Sequence, residues 1–76
     1  MTLATIHVYL LDEGVDVWRP VLAQHLRDDL YRIVVSPPDG EVWEFNHGDV
    51  VRCRRQSMSG DGGKIADTLV AFEKSN

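Results

Sequence analysis

This chain of 76 residues is 43 % hydrophobic and 26 % charged, with a net charge of −4 and a single cysteine. A chain this short supports one hydrophobic core, which predicts a single domain over residues 1–76 and excludes a second core. The composition excludes wholesale disorder, and the excess of acidic residues is opposite to the basic footprint of general nucleic-acid binders.

The sequence also indicates where the protein works. It contains no apolar run near the ~20 residues that a membrane-spanning helix needs, and it starts without the basic and hydrophobic stretches of a signal peptide. Its one cysteine, Cys53, has no partner for an internal disulfide, which agrees with a reducing compartment. We therefore predict a cytoplasmic protein with no membrane partner.

The first strand is predicted over Ala4 to Leu11, because apolar residues alternate there. Ile6, Val8 and Leu10 fall on one face of that strand. The segment Asp12-Glu13-Gly14 then predicts a turn, because glycine tolerates the positive φ that tight turns require.

The next segment, Asp16 to Leu26, leaves two alternatives open. Leu22, Leu26 and Leu30 recur at a spacing suited to a short helix, whereas Val17 and Trp18 favour a strand. Pro20 lacks the amide that a central strand must donate. We interpret Val15 to Gln24 as a strand that bends at Pro20 and lies at a sheet edge or a bulge, with the helix as the alternative.

Two further strands follow between clear breaks. Leu30 to Val35 is rich in strand formers and comes after the polar turn Arg27-Asp28-Asp29. Two prolines and an Asp-Gly pair in Ser36 to Gly40 end it. Val42 to Phe45 is then a short extended segment, and Asn46 to Asp49 forms the next corner.

The last two strands are predicted over Val50 to Ser57 and Ile65 to Glu73. Alternation in the first of them directs Val51 and Cys53 inward and places arginines on the opposite face. The glycine-rich segment between the strands, Ser59 to Gly63, predicts a mobile hairpin loop.

Five or six short strands, separated by turn residues and without a convincing long helix, predict an all-β protein. A chain of this size closes best as a small antiparallel barrel of the SH3-like kind. Closure removes the exposed strand edges that would otherwise promote aggregation.

Four motifs taken together resemble a group of short bacterial proteins. They are Tyr-Leu-Leu-Asp-Glu-Gly from residue 9, Asp-Val-Trp-Arg-Pro-Val from residue 16, Tyr-Arg-Ile-Val from residue 31 and Glu-Val-Trp-Glu-Phe-Asn-His-Gly-Asp-Val-Val-Arg-Cys from residue 41. The resemblance spans Tyr9 to Arg54. It implies a small β fold and carries no assigned activity, so no functional residue is taken from it.

Three histidines, His7, His25 and His47, together with Cys53 offer the ligand types that zinc prefers. Their spacing matches no paired ligand motif such as Cys-x-x-Cys or His-x-x-x-His. We therefore predict structural roles for these residues, with no metal and no cofactor.

Catalytic chemistry is not indicated by the sequence. A nucleophilic Cys53 would need a base beside it, and strand alternation turns it away from the neighbouring arginines. The acidic pairs Asp12-Glu13 and Asp28-Asp29 fall in predicted turns, where solvated carboxylates are usual. Gly60 to Lys64 lacks the spacing and the following helix of a phosphate-binding loop. The chain is therefore predicted not to be an enzyme.

Aromatic residues and arginines form the strongest candidate site. Tryptophan, tyrosine and arginine dominate binding hot spots because they combine a large contact area with a polar group. Tryptophan also suits a core, so Trp18 and Trp43 have both interpretations. Tyr9 and Arg32 belong to the same wider set. The predicted partner-binding residues are Trp18, Arg19, Tyr31, Trp43, Arg52, Arg54 and Arg55.

The leading hypothesis is a non-catalytic module, from a bacterium or a phage, that binds a protein partner through this aromatic and arginine face. One alternative is a small nucleic-acid-binding barrel that stacks bases on tryptophan and holds the backbone with arginines. Another is an inhibitor or immunity-type protein, including anti-CRISPR-like blocking of a nucleic-acid enzyme, whose scattered acids mimic phosphate. A homodimer is also open, since pairing buries more of the apolar surface of a small chain.

Overall fold

The computed structural model describes residues 2–59 and 65–75, and within those ranges the chain is all β. Its six strands are β1 (Thr2–Leu11), β2 (Trp18–Arg27), β3 (Leu30–Ile33), β4 (Val42–Trp43), β5 (Val50–Ser59) and β6 (Ile65–Lys74). The described ranges contain no helix, and hence no helix long and apolar enough to cross a membrane. The predicted fold class is confirmed, and the helical alternative for the second segment is wrong.

Five of the strands close a ring of hydrogen-bonded neighbours. β1 pairs with β2, β2 with β3, β3 with β5, and β5 with β6, all antiparallel. β6 returns to β1 through a parallel pairing of His7 with Val70. β4 adds two residues at the end of β1, opposite Leu10 and Leu11. The molecule is therefore barrel-like, as predicted, but its sheet is mixed rather than purely antiparallel.

The inside of the ring is filled by alternate residues of the strands. Ile6 and Val8 of β1, Ile33 of β3 and Val51 of β5 are fully buried, and Cys53 lies with them at 4 % exposure. Burying one such aliphatic side chain stabilises the fold by roughly 1.5–3 kcal/mol. The period-two alternation in the sequence thus builds one core, and the predicted inward orientation of Val51 and Cys53 is confirmed.

β2 occupies a different range from the strand predicted over residues 15–24. It begins at Trp18, because the turn after β1 is longer than expected and holds both Asp12 and Gly14 at positive φ (63° and 79°). It continues to Arg27, because a two-residue turn lets Arg27 still pair with Leu30. The sequence located the turns correctly but placed the strand between them three residues too early.

Pro20 lies inside β2, yet its missing amide removes no ladder hydrogen bond. The carbonyl of Leu22 accepts from the Val34 amide at 3.2 Å on the β3 side. Residue 20, two positions earlier, directs its backbone nitrogen to the same side. Pairing between β2 and β3 begins only at Ala23, so Pro20 occupies a local edge, as predicted. The register irregularity of β2 falls elsewhere, after His25.

The hairpin of β5 and β6 extends beyond the ring. The two strands remain paired as far as Ser59 and Ile65, whereas β3 pairs with β5 only up to Arg52. Residues 54–57 of β5 are all exposed, so solvent reaches both faces of the sheet there. The predicted loop of residues 59–63 lies, after Ser59, outside the described residues.

Candidate protein-interaction face

The seven predicted binding residues lie in several different parts of the molecule. Tyr31 and Trp43 are 8 % and 4 % exposed and belong to the core. Trp18 lies outside the ring on β2, and Arg19 lies at the end of the barrel where β2 begins. The remaining three members of the set, Arg52, Arg54 and Arg55, lie on β5. The structure therefore separates residues that the sequence suggested as one surface.

Arg19, Glu41 and Trp43 form a hydrogen-bonded group at the end of the barrel. Arg19 Nη2 lies 2.6 Å from Glu41 Oε2, and its Nε donates to Oε1 at 3.2 Å. Trp43 Nε1 donates to the same Oε1 at 3.0 Å. The indole bond, followed by the arginine bonds, lowers the pKa of Glu41 below its usual value. Arg19 is thus engaged within the chain, and Glu41 satisfies the one polar atom of a buried tryptophan side chain.

The arginines of β5 differ in how far they are committed to other groups. Arg52 Nη1 lies 3.0 Å from Asp29 Oδ1, and its Nε lies 3.7 Å from Glu73 Oε2. The Arg54 guanidinium lies 4.9 Å from the centre of the Phe72 ring. Arg55 has no ion-pair partner within the described residues. Only the end of this arginine group that lies on the projecting hairpin is open to a ligand.

Two of the residues considered for metal binding or catalysis, Cys53 and His25, are engaged in the packing of the fold. Burial raises the pKa of the Cys53 thiol to about 12, with a smaller contribution from Asp29, so Cys53 holds its proton at neutral pH. His25 Nε2 donates to the Asp28 carbonyl at 2.8 Å, and its ring stacks on Tyr31 with centroids 4.6 Å apart. Among the residues described, no three histidine, cysteine, aspartate or glutamate side chains are grouped to hold a metal ion.

The outward side of β1 and its neighbours carries a set of apolar side chains, with Thr5 and His7 of β1 between them, where the solvated face of an antiparallel sheet is usually polar throughout. The register places Tyr9 opposite Trp18 and Leu11 opposite Val42, and cross-strand partners share a face. Residues two apart on a strand also share a face, which adds Leu3 and, on β2, Leu22. We call this surface the outer face. It consists of Leu3, Tyr9, Leu11, Trp18, Leu22 and Val42.

The outer face is long and partly open to solvent. Leu3 and Val42, at its two ends, are 57 % and 48 % exposed, and Leu22 is 40 % exposed. The eight residue-to-residue steps from Leu3 to Leu11 of β1 span about 27 Å at the usual rise of an antiparallel strand. The face therefore runs the length of one side of the barrel.

Tyr9 and Trp18 form the aromatic part of the outer face. Their ring centroids lie 5.1 Å apart at an interplanar angle of 67°, an edge-to-face arrangement. The Tyr9 hydroxyl donates to Asp16 Oδ1 at 2.8 Å. This bond, the largest cause, raises the pKa of Tyr9 above its usual value. Both rings are held in place before any partner arrives.

Sequence reasoning found the aromatic members of the outer face but missed its aliphatic ones. The signal was present in β1, where leucines occupy positions on the side opposite to Ile6 and Val8. It was missing for Leu22, because that residue fell in the segment whose type was ambiguous. The contribution of Val42 depends on its pairing with Leu11, which only the tertiary fold defines.

Comparison of the chain with protein-family models, with curated proteins and with solved structures finds no match. The similarity to short bacterial proteins stays a prediction.

Proposed function

We propose that this chain is a non-catalytic module that binds a protein partner through the outer face. The observation that carries this proposal is the set of exposed aliphatic side chains that accompany the half-buried pair Tyr9 and Trp18 on the outward side of β1, β2 and β4. Contact between water and apolar surface is unfavourable, so a soluble protein keeps groups of this kind mainly where a partner covers them.

The aromatic pair makes the centre of this face suitable for tight binding. A side chain that is already fixed loses little conformational entropy when a partner covers it. Tyr9 is fixed by its bond to Asp16, and its ring contacts the edge or face of Trp18. Tyrosine and tryptophan in such surroundings are the residue types that most often dominate binding energy.

A second candidate function, nucleic-acid binding, is favoured by one observation on the projecting hairpin. Arg54 and Arg55 are exposed on β5, and Arg54 lies over an aromatic ring as arginines do when they stack. Binding of this kind would weaken steeply as salt is added, because each phosphate contact releases a counterion. The two candidates use different surfaces and can be separated by substitution.

The test compares capture of partners by the tagged protein and by four variants, with and without nuclease. Leu22→Ser and Val42→Ser change two separate parts of the outer face, one on β2 and one on β4. Arg54→Ser and Arg55→Ser change the hairpin. We expect wild-type protein to retain one protein in stoichiometric amount after nuclease treatment, and each outer-face variant to lower its retention about tenfold, the effect of losing one well-packed contact. The arginine variants should retain it fully.

Other outcomes identify a different function. Retention that survives both outer-face substitutions contradicts the proposal. Nuclease-sensitive retention that is lost in the arginine variants establishes the nucleic-acid candidate instead. Self-association that disappears in Leu22→Ser, measured by analytical ultracentrifugation, would make a second copy of the chain the partner. Denaturation curves that match wild type show that each variant is folded.

A further inference from the structure

The aromatic part of the outer face is flanked by carboxylates, and this arrangement defines the chemistry of what binds there. We propose that the corner formed by Tyr9 and Trp18 receives a lysine or arginine side chain from a basic, partly apolar segment of the partner protein. This inference rests on the proposed function and adds the charge of the partner to it.

The first support is the distribution of charge. β1 and β3 end, and β2 and β5 begin, at one end of the barrel, so the loops of residues 12–17 and 34–49 lie together there. These loops hold seven aspartates and glutamates and no lysine or arginine. Arg19 and Lys74 reach them, pairing with Glu41 and Asp49. The remaining local charge is −5, against −4 for the whole chain.

The second support is the position of two of these carboxylates against the aromatic pair. Asp16 accepts the hydrogen bond of the Tyr9 hydroxyl at 2.8 Å, and the Glu44 amide donates to the Tyr9 carbonyl at 2.9 Å. Both carboxylates raise the pKa of Tyr9, Asp16 through its hydrogen bond and its charge and Glu44 through its charge alone. Neither has a cationic partner within the described part of the chain. A cation seated on the rings would therefore meet the Asp16 carboxylate, and the charge of Glu44 would add to the attraction.

The chemistry of such a corner favours a cation over other groups. The faces of tyrosine and tryptophan rings carry partial negative charge and attract ammonium and guanidinium groups. Exposed carboxylates beside them add Coulombic attraction, which salt weakens. The leucines and valine of the outer face then cover the apolar side chains of the same segment.

The same charges argue against two other occupants of this end of the face. A nucleic acid would bring phosphates toward a surface of net charge −5. A second copy of this chain whose two-fold axis passed through this corner would bring the same carboxylates toward each other. A basic segment of a different protein meets neither objection.

The experiment selects peptides from a random displayed library on the immobilised full-length chain. The best peptide is synthesised, and its dissociation constant is measured by calorimetry. We expect selected peptides to carry lysine or arginine among apolar residues, with binding that weakens as salt is added. Asp16→Asn, which keeps the acceptor for Tyr9, and Glu44→Gln should each weaken binding about tenfold. Trp18→Ala should abolish it.

Asp39→Asn is the matched control, because it removes one negative charge from the same end without touching the aromatic pair; it should change affinity less than about twofold. Neutral or acidic peptides whose binding is lost in Trp18→Ala would overturn the basic partner and leave the proposed function standing. Full affinity in both Asp16→Asn and Glu44→Gln would also overturn the basic partner and leave the proposed function standing. A library that yields no binding peptide would count against both proposals.

Discussion

The two sides of β1 carry similar apolar residues that differ in burial. Ile6 and Val8 point into the ring and are fully buried, whereas Leu3, 57 % exposed, and Tyr9 point outward. Both sets are apolar, and both sit on the same strand. The inward set is covered by the chain's own strands and defines the fold. The outward set remains wholly or partly open to solvent.

The largest expected difference between the two sides is chemical accessibility. Cys53 faces inward with a pKa of about 12 against an ordinary 9.0, so it should react with an alkylating reagent roughly a thousandfold more slowly than in denatured protein, one factor of ten for each pKa unit. In Leu22→Cys the new outward thiol should react at the rate of an exposed thiol. Mass spectrometry should then show one fast modification for each folded chain, and two fast modifications would mean that β5 opens readily.

The second difference is in stability. Ile6→Ala should lower the free energy of unfolding by about 2–4 kcal/mol, because it leaves a cavity in the core. Leu3→Ala removes a similar aliphatic side chain from the outward side and should change that free energy by less than about 0.5 kcal/mol. Urea denaturation measures both values. Equal losses would show that Leu3 is packed against the chain and does not belong to an open surface.

The third difference is in the pH dependence of stability, and it distinguishes Glu41, whose carboxylate is hydrogen-bonded within the fold, from the other carboxylates at the acidic end of the barrel. The folded-state pKa of Glu41 lies below its ordinary 4.5, so its stabilising contribution is complete at pH values well above 4.5 and is lost as pH falls through the folded value. Glu41→Gln should therefore be less stable than wild type at neutral pH, with a difference that shrinks on acidification. Thermal unfolding across that range measures it. A pH-independent difference would assign the effect of Glu41 to packing.

The smallest expected effect concerns the aromatic pair. The pKa of Tyr9 lies above 10.0 mainly because its hydroxyl donates to Asp16. The bond therefore stabilises the fold below pH 10 and is lost as the pH rises through the folded value. Asp16→Ala, which removes the acceptor, should lower the pKa of Tyr9 toward 10.0, and ultraviolet titration of the phenolate follows it. Asp39→Asn should leave this titration unchanged.

Much of the fold followed from local patterns, because alternation and turn residues act over a few neighbours. Val51 and Cys53 were correctly directed inward, and the breaks around Gly14 and Asp28 were found. The start and end of β2 were missed, because they depend on how many residues each turn uses. The parallel return of β6 to β1 was also missed, since it joins residues that no local pattern links.

The candidate site was less predictable than the fold. The sequence identifies Trp18 and Trp43 as the same residue type with the same two possible roles. Their environments differ because Trp43 pairs with the inward Leu10, whereas Trp18 pairs with the outward Tyr9. Arg19 was selected as a binding residue on its residue type alone, and its carboxylate partner, Glu41, lies 22 positions away in the sequence. Such pairings become visible only in the folded chain.

The pairing of His7 with Val70 has a consequence for how the molecule is made. It joins the first strand to the last, and it is the only register pair between them in the described chain. During synthesis β1, β2 and β3 can pair as they emerge from the ribosome, but the ring cannot close until β6 has been released. Contacts that distant in sequence form slowly. Until then the inward leucine, isoleucine and valine side chains of β1 lack the cover of β6, and apolar surface exposed in this way promotes aggregation of an unfinished chain.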